Sequence, residues 1–323
     1  RDRNGVQPLG QGQEPSPVTG RQGAETLPTA EDDTDKPAVT APTPAAQRTE
    51  LVGPGEASAS TVGDLDRPHA DPAPFIRVLG PVTIEHARGS VEQSRRSRLT
   101  EYAAYLSLHP GATAAAIDEA IWPHRRREDN QTTRHTATSR LRAWLGEDPE
   151  GNPYLPVHQG TRYAFQHDVR TDWDDWRALL PDGPLRGTSE DLERAMSLVR
   201  GGPFDGAHPR RYAWAEPIRR AMIDQIVDAA HELARHQARE GNWRGAEDAV
   251  VVGLALDPAL ERLWRVRILA AHANDANSAG AESIDRMLTV TEDLGGDLEP
   301  ETEDLLAAIR QGADLDQLTA IAL

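Results

Sequence analysis

The feature that most constrains this chain is a change of pattern at Phe75. Residues 1–73 are rich in Pro, Gly, Thr, Ala, Gln and acids, as in TAEDDTDKPAVTAPTPAAQ, and show no apolar periodicity. Such a stretch buries too little surface to offset the entropy of ordering it, so it is expected to be a disordered linker, either a tether to something upstream or a tail without a task. The chain begins with Arg and reads as a piece of a longer one, whose upstream part is a place for an anchor.

From Phe75 on, periods of two and then of 3.6 appear. FIRVLGPVTIEH alternates around Gly80-Pro81, which predicts a hairpin of two short strands. In RRSRLTEYAAYLSLHPG, Leu99, Tyr102, Ala103 and Leu106 form one apolar helix face, closed by His109-Pro110-Gly111. Thr113 is placed to cap a second helix, TAAAIDEAIW, ended by Pro123. A basic loop, Arg125-Arg126-Arg127, leads to a third helix expected over 132–145 and closed by Gly146. NPYLPVHQGTRYAFQ predicts a second hairpin around His158-Gln159-Gly160. Sheet, three helices, hairpin is the order of a winged helix, the helix-turn-helix variant with a β wing.

From Asp168 the chain is all-helical in pattern. Thr188 opens a helix with acids in its first turn, Gly201-Gly202-Pro203-Phe204 breaks the run, and 212–240 is long and amphipathic with Ile218, Met222, Ile226 and Leu233 inward. EGNWRGAEDA at Glu240 returns as DANSAGAESI at Asp275, close to a tetratricopeptide period. That echo places Gly245 and Gly280, with Ala246 and Ala281, where helices approach closely. The expected fold is mainly α: a winged helix-turn-helix (α+β) over 74–167, then an all-α tetratricopeptide-like domain over 168–323.

The motifs LSLHPG, EAIWP, SRLRAWLG and GTRYAF, in that order behind an N-terminal hairpin, resemble the winged-helix domain of actinobacterial antibiotic regulatory proteins, which is akin to the DNA-binding half of response regulators. TDWDDWRALL, GGPFDGAHP, WAEPIRR, GNWRGAEDA, LALDPALERLWRVRILA and DLGGDLEPETEDLL resemble the bacterial transcriptional activation domain of the same family. The resemblance covers residues 74–323. It implies a cytoplasmic transcription regulator whose partner is double-stranded DNA, bound at direct repeats by head-to-tail protomers. It also implies that the arginine loop can touch RNA polymerase or the phosphate backbone.

The residues of the third helix bear on this directly. With Leu141 at the centre of the buried face and about 100° per residue, Ala137, Trp144 and Leu145 fall beside it. Thr132, His135, Thr136, Ser139 and Ala143 fall opposite, with Arg140 and Arg142 on the flanks. A recognition helix needs one apolar face for its domain and one donor-rich face for base edges. The candidate DNA contacts are therefore Arg134, His135, Ser139, Arg140 and Arg142, with Arg162 of the wing; Arg134 is expected in the first turn, reaching past the helix end to a phosphate. Arg125, Arg126 and Arg127 are candidates for phosphate or polymerase contact. The plainer alternative is a solvated amphipathic helix whose arginines pair with neighbours such as Glu128 and Asp129. Trp122 and Trp144 are expected in the core, and Trp173 and Trp176 are expected to pin the linker onto the helical half.

Charge separates the parts. Residues 74–167 hold 12 basic and 10 acidic side chains, whereas residues 168–323 hold 17 and 30, in a chain of net charge -17. The helical half is thus expected to repel DNA and to serve a homodimer, RNA polymerase, or a peptide in its groove. The chain has no cysteine, so thiol chemistry and cysteine-held zinc are excluded. His231 and His236 are five apart, off the i, i+4 spacing of a zinc protease, and no Gly-rich phosphate loop occurs. Neither an enzyme nor a cofactor is expected. The rival reading is a protein-interaction module with a degenerate winged helix, forming the cytoplasmic end of a larger, membrane-anchored protein.

Overall fold

The computed structural model describes residues 72–124, 127–157, 162–274 and 276–323, with backbone alone for 127, 128 and 277. The expected linker 1–73 lies outside these residues but for its last two, as do Arg125, Arg126 and the wing tip 158–161. All described residues belong to one compact unit, 63–323.

The first layer is built as the apolar pattern dictates. β1 (Phe75–Arg77) and β2 (Thr83–Glu85) pair antiparallel through the Gly80-Pro81 turn. α1 (Gln93–Leu108) buries the expected Leu99, Tyr102, Ala103 and Leu106, but also Thr100, Glu101, Ala104 and Tyr105. β3 (Ala112–Thr113) runs into α2 (Ala114–Ile121), where the Thr113 hydroxyl accepts from Ala116 N–H at 3.3 Å as an N-cap. α3 (Arg127–Leu145) starts five residues before the expected Thr132. No Pro or Gly lies between to stop it, so the helix extends into the basic stretch. β4 (Arg162–Tyr163) pairs with β3, Ala112 opposite Tyr163. The expected partner run, 152–157, forms no strand with β4 and is joined beyond it to Gln166, whose N–H donates to Tyr154 O at 2.9 Å and whose side-chain amide donates to Pro153 O at 3.0 Å.

β5 (Arg170–Thr171) was not expected; it lies parallel to β1, on the side away from β2. The helical half follows: α4 (Asp172–Leu179), α5 (Ser189–Ser197), α6 (Glu216–Arg239), α7 (Trp243–Leu256), α8 (Glu261–Ala273), α9 (Asn277–Leu294), α10 (Pro300–Arg310) and α11 (Leu315–Ala322). The long helix expected from Tyr212 instead begins at Glu216, after a 3₁₀ turn over Ala213–Ala215. Consecutive helices from α6 to α9 pack against one another as stacked hairpins. The repeat positions differ from expectation. Ala246 is buried, but Ala281 is exposed and the Cβ of a residue at Gly245 would meet its own cap, Asn242. The close approach falls at Gly253, where an added Cβ would lie 2.8 Å from Leu263 and 3.1 Å from Ala230.

The two halves share a core. Asp172, fully buried, accepts from Val78 N–H at 2.7 Å and Leu79 N–H at 3.1 Å. Burial raises its pKa against these two bonds and the Arg200 guanidinium 3.6 Å away. The 200–205 turn is bonded to the same strand end, through Arg200 N–H to Leu79 O and Phe204 N–H to Val78 O. Gly80 is obligatory there: its φ is +144° and an added Cβ would sit 3.0 Å from Arg200 Cβ. Trp173 and Trp176 stack at 6.0 Å, and Trp176 donates to Gln225 of α6 at 3.1 Å. The acids of DWDDW are thus caps and strand partners, Asp174 closing a capping box with Thr171. Trp214 packs edge-on to Tyr105 at 5.1 Å and so belongs to the contact between the halves.

Candidate nucleic-acid interface

α3 is held from behind by apolar burial. Leu141 and Leu145 are inaccessible, Ala137 and Trp144 nearly so, and Tyr102 of α1 shares a 3.0 Å hydrogen bond with Thr138. Facing outward are Thr132, His135, Thr136, Ser139, Arg140 and Ala143. From Asn130 to Gly146 there is no acid, in a chain with 52 of them. The outer surface of α3 is therefore a row of hydroxyls, an imidazole and a guanidinium on a firmly seated helix. These are the donors and acceptors that base edges and phosphates require.

The arginines of the stretch divide by environment. Arg140 is exposed and forms no ion pair or hydrogen bond with the described residues. Arg134 is turned inward, about two turns into the helix and not in its first turn. Its guanidinium bonds Asp118 of α2 and, at 3.1 Å, the Tyr163 hydroxyl of β4. Burial opposes its charge, yet those two hydrogen bonds outweigh the burial and its pKa is raised. The reach past the helix end expected of Arg134 has no geometric basis, because this side chain ties α2, α3 and the wing together. Arg142 is half-buried and donates to Leu155 O at 2.7 Å and Pro156 O at 3.1 Å. It fastens the irregular segment 152–157 that leads toward β4. Arg162 is exposed and donates to Gly111 O at 3.2 Å, beside the β3–β4 pair. Arg127 opens α3; Arg125 and Arg126 lie outside the described residues.

His135, Ser139 and Arg140 are thus brought together on one surface, and Arg134 and Arg142 are withdrawn from it. The sequence pattern missed the residues that fix this surface to the helical half. Glu101 of α1 is fully buried, and Arg211 reaches it from the turn before α6, Nη2 at 2.7 Å and Nε at 2.9 Å. A carboxylate inside an apolar heptad was the available signal. Burial raises the Glu101 pKa, with Arg211 and Arg98 pulling the other way.

Residues 167–310 match the family model described as bacterial transcriptional activator domain. Among curated proteins none matches the chain. Its fold is similar to that of Mycobacterium tuberculosis EmbR in complex with low affinity phosphopeptide, with 20% sequence identity and a TM-score of 0.56, over 77% of this chain and 69% of that one. No helix among the described residues is long and apolar enough to cross a membrane. The helical half is thus similar over 167–310 to a bacterial transcriptional activator domain, and the chain shares its fold with EmbR.

Proposed function

We propose that the winged helix binds double-stranded DNA, with α3 in the major groove and His135, Ser139 and Arg140 at the base edges. The outer face of α3 from Thr132 onward, which carries no acid, supports this reading. Arg162 and the basic loop Arg125-Arg126-Arg127 contact the phosphate backbone, the loop being also the surface for RNA polymerase. Arg134 and Arg142 act one step back, by holding α2 and the wing against α3. The helical half serves a second protomer, polymerase or a peptide. Its excess of acids keeps it off the duplex, so that only the winged helix docks.

The inward arginines also favour a second reading, a protein-interaction module, since they leave α3 with Arg140 as its one outward arginine among side chains described. Selection from a random duplex library with the full chain, at near-physiological salt, separates the two. A recovered motif that is lost on changing His135, Ser139 and Arg140 together supports DNA readout. Folded protein that enriches nothing supports the interaction module.

A further inference from the structure

A cleft of about 450 Å³ lies between the N-terminal half of α1 and the outer side of α3. Three guanidiniums line it, Arg95, Arg98 and Arg140, together with the hydroxyls of Thr132 and Thr136. Its apolar wall is Leu99 and Trp122. No carboxylate lines it among the described residues. Two of the arginines are partly compensated from outside the cleft: Arg95 by Glu92 at 3.1 Å, and Arg98 by Glu101 at 2.9 Å. Arg140 has no carboxylate partner among the described residues.

In a chain of net charge -17, three converging guanidiniums are a local reversal of sign. Planar N–H forks beside hydroxyls match the oxygens of a phosphate. The volume exceeds what a bare phosphate fills and falls among those of clefts that take small molecules. The indole and leucine wall suits an apolar body rather than a second charge.

We propose that this cleft binds a small phosphorylated molecule with an apolar or aromatic body, and that its occupancy competes with DNA. The phosphate sits among Arg95, Arg98 and Arg140, and the body lies against Trp122. Thr132, Thr136 and Arg140 face outward on the same helix that approaches the duplex, so one occupant excludes the other. The competition rests on the DNA reading above; occupancy of the cleft does not.

Calorimetric titration of the full chain with phenyl phosphate and with inorganic phosphate tests this. Phenyl phosphate is expected to bind at least about tenfold more tightly than inorganic phosphate, and to displace a duplex selected from the random library. Arg140→Gln, which removes a guanidinium, and Thr136→Met, which fills the mouth, are each expected to weaken it about tenfold or more at unchanged thermal midpoint. No heat with phenyl phosphate, or affinity untouched by both variants, overturns the assignment. Equal affinity for the two probes also overturns it, and marks the cleft as a seat for a bare phosphate such as one of the DNA backbone. If a variant does not fold, the comparison of the two probes on the unaltered chain still decides. A chain that selects a duplex yet ignores phenyl phosphate loses the cleft alone. A chain that binds phenyl phosphate but selects no duplex loses the competition and the DNA reading.

Discussion

Glu101 and Arg211 are 110 positions apart, and the guanidinium of one closes on a single carboxylate oxygen of the other at 2.7 and 2.9 Å. Glu101 has no exposed surface. Removing Arg211 leaves the buried Glu101 with Arg98, at 2.9 Å, as its other guanidinium partner. Arg211→Met is therefore expected to destabilise the chain by about 2 kcal/mol in urea unfolding, less than a wholly unpaired buried charge would cost. Adding Glu101→Gln should recover part of that loss, because no buried charge then remains. A double variant no better than the sum of its parts would deny the coupling.

Arg134→Met should act on stability before it acts on DNA. It leaves Asp118 without its counter-charge and breaks the bond to Tyr163, at a cost of about 3 kcal/mol. Unfolding midpoints with and without Asp118→Asn measure it; a variant of unchanged stability with weakened DNA binding would restore Arg134 to the interface.

Arg140 and Arg142 should separate in the same way. Arg140→Ala is expected to weaken specific duplex binding by about 1–3 kcal/mol while leaving the thermal midpoint unchanged. Arg142→Ala removes the bonds to Leu155 O and Pro156 O. It should raise amide exchange in the segment 152–157, whatever it does to affinity. Exchange that does not change there would contradict the anchoring role.

His231 is half-buried among Arg262, Glu232, Arg235 and Arg265 on α6 and α8. Burial first, then Arg262, lowers its pKa to about 4 from 6.5. The folded chain thus binds its proton less readily than the unfolded chain does. The contribution is fully present above pH 6.5 and is lost as pH falls toward 4, to a total of about 3 kcal/mol. His231→Gln should flatten the stability profile across that window. A variant profile parallel to that of the unaltered chain would contradict this.

Gly253 is the point where α7 lies against both α6 and α8. Gly253→Ala is expected to cost about 1–2 kcal/mol despite its better helix propensity, because Ala230 Cβ at 3.1 Å cannot turn aside. A stabilised variant in thermal unfolding would show that the helices can part without cost.

Local pattern made much of this legible. Thr113 and Thr188 cap where their hydroxyls precede an apolar run, and Met222, Ile226 and Leu233 turn inward at their helical spacing. Periodicity also separated the outward His135 and Ser139 from the buried Leu141 and Trp144, but it left Arg140 on a flank, where the structure finds it exposed. Contacts distant in sequence were hidden. A helical wheel places Arg142 on a flank, but only the fold brings Leu155 and Pro156 within its reach. The start of α3 was hidden because nothing in the basic stretch breaks a helix and nothing local demands one. β5 was too short to show an alternation; its partner β1 lies 95 positions upstream by register. The glycine echo at Gly245 and Gly280 was visible, but Gly253, outside the echo, carries the close packing because α6, α7 and α8 cross there.

The most direct test of the account is the salt dependence of affinity for a selected duplex, measured with the unaltered chain and with His135, Ser139 and Arg140 changed together to Ala. The account predicts a steep loss of affinity with salt for the unaltered chain, as counterions are released from the phosphates. In the triple variant it predicts a shallower slope and no preference for the selected sequence over a scrambled one. An unchanged preference in the triple variant would contradict the reading role of α3.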